Sequence, residues 1–99
     1  MRARERRQWE RAIERVCAPT GLRVFVVWAR HLPNAHGAYV PWPGPEVWIV
    51  LDENRGEVPE TIAHECAHVL AYHEHGPGIQ AHGPEWRAWY RRCKKSLDL

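Results

Sequence analysis

Two histidines four residues apart, with a glutamate directly after the first, are the residues of this chain best suited to chemistry. They are His64, Glu65 and His68, inside the apolar, alanine-rich run Thr61 to Tyr72. On a helix of 3.6 residues per turn the two histidines stand about 40° apart and one turn from each other. Imidazoles so placed can hold one zinc ion. Glu65 projects at a neighbouring angle, where it reaches a metal-bound water without being a ligand, the position of a general base. With 7 His and 10 Glu in 99 residues, chance alone supplies such a motif in roughly 5% of shuffled chains, so its context must decide. Ile62, Ala63, Ala67, Val69, Leu70 and Ala71 surround it with helix-compatible apolar side chains. Histidines on a buried helix need partners, and a metal is the simplest one.

The elements that must position these residues are readable in order. Arg2–Val16 is an amphipathic helix with Trp9, Ala12, Ile13 and Val16 on one face, and Pro19-Thr20-Gly21 stops it. Leu22–Arg30 and Glu46–Leu51 are β-branched and aromatic, and predict strands. Gly37–Val40 is either a short edge strand or a connecting loop. Pro41, Pro43 and Pro45 exclude a central strand there. Asp52–Gly56 is a turn. The motif helix runs from Pro59 to His75 and ends at Gly76-Pro77-Gly78. After a loop, Gly83-Pro84 opens a last helix with Trp86, Trp89, Tyr90 and Cys93 on its apolar side. The order predicts an α+β domain over residues 1–99: a small antiparallel sheet with helices packed on it.

Composition bounds the rest. Charged residues are 26% and apolar residues 44%, which is globular rather than disordered. No apolar run reaches the ~20 residues of a membrane span, and no secretory signal opens the chain, so no membrane partner is expected. Cys17, Cys66 and Cys93 are odd in number and without framework spacing, which predicts free thiols and a cytoplasmic location. Cys66 lies about 200° round the helix from His64 and faces away from the metal. Residues 1–30 hold eight arginines against three glutamates, while residues 31–75 hold seven acids against Arg55 alone. Basic ends have two readings, solvated helix faces and a DNA-contacting surface, and the first is favoured. A monomer is expected. Among the tryptophans, Trp28, Trp48, Trp86 and Trp89 are expected in the core and Trp42 at the surface.

A catalytic zinc takes three protein ligands and keeps one open position. His75 lies ~10 Å along the axis from His68, too far for one ion, and His73 points about 140° away. His31 and His36 read as exposed loop histidines. His82 lies beyond a Gly-Pro-Gly reversal and directly before a helix pinned by its aromatics. It is the favoured third ligand, with Glu85 as competitor. Tyr72, Tyr90, Arg87 and His75 are candidate oxyanion donors.

His64-Glu-Cys-Ala-His68, followed by His82-Gly-Pro-Glu-Trp86-Arg-Ala-Trp89, resembles the SprT-like zinc metallopeptidases, which include proteases of DNA–protein crosslinks. Their pattern is HExxH, a short variable loop, then His-Gly-Pro-x-Phe/Trp-x-x-Trp/Met. The resemblance covers roughly residues 46–92. It implies a zincin-like, minigluzincin-type domain. In it an N-terminal helix, the HExxH helix and a C-terminal helix pack on a three-stranded, mostly antiparallel sheet. It implies His64, His68 and His82 as zinc ligands, Glu65 as catalytic acid/base, and hydrolysis of a polypeptide substrate by zinc-bound water. No Cys-rich zinc ribbon follows, so the chain looks like the bare catalytic core of small bacterial or phage-encoded relatives. The metzincin pattern fails, because it wants Gly and His where this chain has Ala71 and Glu74. The alternative is a zinc-stabilised nucleic-acid- or protein-binding module without catalysis.

Overall fold

The computed structural model describes residues 2–30, 37–41, 46–52 and 58–98. Helix α1 spans Ala3–Cys17 and buries Ala12 and Ile13 of the expected stripe together with Cys17, while Trp9 and Val16 are partly buried against the core. One 3₁₀ turn, Ala18–Thr20, closes it. Thr20 Oγ1 donates to the Cys17 carbonyl at 2.7 Å and accepts from the Leu22 N–H at 3.1 Å. Gly21, at φ 69°, then turns the chain into β1, Arg23–Ala29. In β1 the alternate residues Val24, Val26 and Trp28 pack on the core. The Trp28 indole donates to Glu10 Oε1 at 3.0 Å and ties β1 to α1.

Strands β2, Gly37–Pro41, and β3, Glu46–Asp52, complete the sheet in the order β1-β3-β2. Here the expectation of a mostly antiparallel sheet is overturned. β1 and β3 run parallel through seven residue pairs, from Arg23–Glu46 to Ala29–Asp52. β2 and β3 run antiparallel through five, from Gly37–Leu51 to Pro41–Val47. The reason lies in β2. A meander would put β2 between the other two, but Pro41 has no N–H to give a second neighbour. β2 therefore takes an edge and the apolar β3 takes the centre. Direction reverses at each connection, so β1 and β3, brought side by side, must be parallel. Helices nevertheless make up most of the described chain.

Helix α2, Val58–His75, packs against α1, α3, β2 and β3. Ile62, Ala63, Cys66, Ala67, Val69, Leu70 and Ala71 are all buried, and with Ile49 and Leu51 of β3 they form the middle of the core. Pro59 sits in the first turn, where a missing N–H costs nothing. Gly76, at φ 75°, caps the helix with its N–H on the Tyr72 carbonyl at 2.7 Å. Helix α3, Pro84–Ser96, packs on α2 through Trp86 and Cys93. The three cysteines are buried free thiols. Among the described residues no helix is long and apolar enough to cross a membrane. The expected turn at 52–56, His31, His36 and Trp42 lie outside the described residues, apart from Asp52, which ends β3. The side chain of Trp48 does too.

Candidate metal centre

α2 presents His64 and His68 one turn apart on its rim, both half-buried. The chain beyond Gly76 returns over this rim and delivers His82 just before α3. His64 Nε2 stands 3.2 Å from His68 Nε2 and 3.2 Å from His82 Nε2. The ring centroids form a near-equilateral triangle, 4.9, 5.0 and 4.9 Å on its sides. Among the described residues this is the one group of three or more His, Cys, Asp or Glu whose ligand atoms lie within 4.8 Å of one another.

The donor set fits a metal ion. A ring nitrogen has one in-plane site, either a proton or a lone pair, yet His64 Nε2 faces two neighbouring nitrogens. Three converging nitrogens share only two states, so without a cation two of the three are alike and face each other unfavourably. Nitrogens held at about 2.0–2.1 Å on a tetrahedron stand about 3.3–3.4 Å apart, close to the spacing seen. Burial also keeps the His64 and His68 imidazoles in the ligating, neutral form. Burial lowers the pKa of His64, and the nearby His82 adds to this. Burial, then His64 and His82, push His68 down to about 4. Glu85 does not join the triangle. His73 is exposed on α2, and His75 instead approaches Glu74 at 3.4 Å.

Glu65 lies beside the triangle and outside it. Glu65 is 5% exposed, and Oε1 comes to 3.9 Å from His64 Nε2. Oε2 is buried and has no hydrogen-bond partner among the described residues. Desolvation lifts its carboxyl from 4.5 to about 7. A carboxylate so placed is costly to the fold, and costly unpaired groups cluster where chemistry needs them. Cys66, one residue on, points instead into the core, as its helical angle required.

Trp86 does more than fill the core. Its indole N–H donates to the His64 carbonyl at 3.3 Å, anchoring α3 to the motif turn. Its ring lies against all three histidines, at 4.8, 5.5 and 4.8 Å from His64, His68 and His82. Tyr90 stacks on Trp86 at 4.8 Å. Tyr90 thus supports the platform, Tyr72 lies beside His68, and Arg87 is exposed. Gly83 precedes α3 with little room to spare: a Cβ there would meet Gln80 Cβ at 3.1 Å. The sequence signal for these supporting roles was the Gly-Pro-x-Trp run itself, which sets a glycine, a helix start and an indole at fixed offsets from His82.

A profile of the SprT-like family matches residues 48–98, a span that holds the three histidines, Glu65 and Trp86. Comparisons with curated proteins and with solved structures returned no match.

Proposed function

The chain belongs to the SprT-like family, and on that premise we propose that it is a zinc-dependent metallopeptidase with Glu65 as its general base. One observation carries the reading: His64 Nε2 stands 3.2 Å from the Nε2 atoms of both His68 and His82, beside a buried carboxylate oxygen with no hydrogen-bond partner among the described residues. His64, His68 and His82 would hold the ion. Zinc, when bound, supplies Lewis acidity to water and to the substrate carbonyl.

Glu65 supplies what a metal cannot, a place to put a proton. The carboxylate accepts a proton from the attacking water and returns it to the leaving amine. Among the described residues β2 is an edge strand, where an extended polypeptide could add as a further strand. The buried free thiols support a reducing, cytoplasmic compartment. Arg92 and Lys94 lie over the Trp89 and Tyr90 rings, at 4.8 and 5.3 Å. These basic residues are read as parts of a solvated helix face. A zinc-stabilised binding module would leave Glu65 without a role, since a structural site gains nothing from an unpartnered buried carboxylate.

The test is metal analysis of unchelated protein together with hydrolysis of an unfolded protein substrate. Wild type should carry one zinc per chain and cleave. Glu65→Gln should keep the zinc and lose cleavage. Equal cleavage by both would remove Glu65 from the mechanism.

A further inference from the structure

Beside His68 a cavity of about 260 Å³ opens along the C-terminal end of α2. Its lining among the described residues is His68, Tyr72, Gly76, Pro77, Ile79 and Ala81. Local geometry builds it. His64, His68, Tyr72 and Gly76 follow one another at four-residue steps, so they form one ridge that drifts about 40° per step. At Gly76 the helix ends in a left-handed residue. Pro77 to Ala81 then lead back toward His82. The ridge and the returning chain border a partly open recess that His68 helps to line.

We propose that this recess is a specificity pocket, taking one bulky aliphatic or aromatic side chain next to the scissile bond. The proposal rests on the peptidase reading above. Size supports it: a cavity of about 150 Å³ holds a benzene ring, and whole small-molecule ligands need about 300–1,000 Å³. The volume suits a single large side chain. Chemistry supports it too. Pro77, Ile79, Ala81 and the Tyr72 ring are apolar, and among the described residues no Asp, Glu, Lys or Arg lines the recess. A charged side chain would lose its water there without gaining a partner. Position completes the case, because the pocket shares His68 with the nitrogen triangle. A peptide bond held at the triangle therefore has a flanking side chain within reach of Ile79.

The experiment has a binding arm and a cleavage arm. Glu65→Gln protein, labelled at isoleucine methyls, is titrated with acetylated hexapeptides that differ at one central residue: Leu, Phe, Gly, Asp or Lys. Ile13, Ile49 and Ile62 are fully buried and serve as controls, while Ile79 lines the pocket. Leu and Phe peptides should bind about tenfold tighter than Gly or Asp peptides and shift the Ile79 methyl selectively. Ile79→Asp should move the preference to Lys, and the milder Ile79→Thr should reduce the Leu and Phe advantage if Ile79→Asp does not fold. Wild type should cut the same panel beside Leu or Phe. Cleavage with no preference, and a silent Ile79 methyl, would overturn the pocket and leave the peptidase reading intact. Selective binding at Ile79 with no cleavage by wild type would do the reverse. Neither binding nor cleavage would overturn both.

Discussion

Removing the charge from Glu65 should stabilise the metal-free fold by an amount that grows with pH. Glu65 is 5% exposed, its Oε2 has no hydrogen-bond partner among the described residues, and burial lifts its pKa from 4.5 to about 7. A group whose pKa is higher in the folded than in the unfolded state keeps its proton longer when folded. Its contribution is fully present below 4.5 and is lost as pH rises through about 7. At about 1.4 kcal/mol per pKa unit, the whole excursion comes to about 3 kcal/mol. Glutamine has nearly the same shape and no proton to lose. The unfolding free energy of Glu65→Gln minus that of wild type should therefore rise by about 3 kcal/mol between about pH 4.5 and about pH 8. The lowered pKa values of His64 and His68 act in the opposite direction, but both residues are present in each protein and largely cancel in the difference. Urea unfolding in chelator at four pH values measures it. A difference that stays flat would refute the assignment of an orphaned, desolvated carboxylate. Loading with zinc adds a second check. A cation beside the carboxylate favours its ionised form, so the pH-dependent part should shrink.

His82→Ala should weaken zinc binding by about a hundredfold or more, since loss of even an outer-shell partner costs 10–100-fold. His73→Ala, on the exposed side of α2, should leave affinity unchanged. Competition with a chromogenic chelator separates the two. Trp86→Phe removes the N–H that reaches the His64 carbonyl and should cost about 1 kcal/mol. Trp86→Ala also removes the ring under the three histidines and should cost about 3–5 kcal/mol. Denaturant unfolding of the metal-free proteins gives both numbers.

The helices and the group of histidines that could hold a metal were legible for a common reason. Helical periodicity is local, so the spacing of His64 and His68 already fixes one edge of the triangle. His82 became legible through its neighbours. A left-handed glycine at 76 ends α2, and Pro84 and Trp86 begin and anchor α3, so the loop between has little choice of path. The place of Glu65 beside the triangle was legible from its position in the motif. Its missing partner was not, because burial by α2's own packing depends on which elements close over it.

The sheet shows where local reading stopped short of a conclusion that it contained. Pro41 was enough to exclude β2 from the centre of a sheet. Two reversals of direction, β1 to β2 and β2 to β3, then make β1 and β3 parallel, and with β2 at an edge those two must meet. The mostly antiparallel expectation came from treating sequence neighbours as sheet neighbours. The recess beside His68 was illegible for a different reason. Tyr72 and Gly76 continue the His64–His68 ridge by simple arithmetic, but Ile79 and Ala81 reach it only through the path of a turn. That turn also sets His82 in the triangle. A single reversal at Gly76 therefore fixes both the third nitrogen and the far wall of the recess. Changes in the length of residues 77–81 should disturb metal affinity and side-chain preference together.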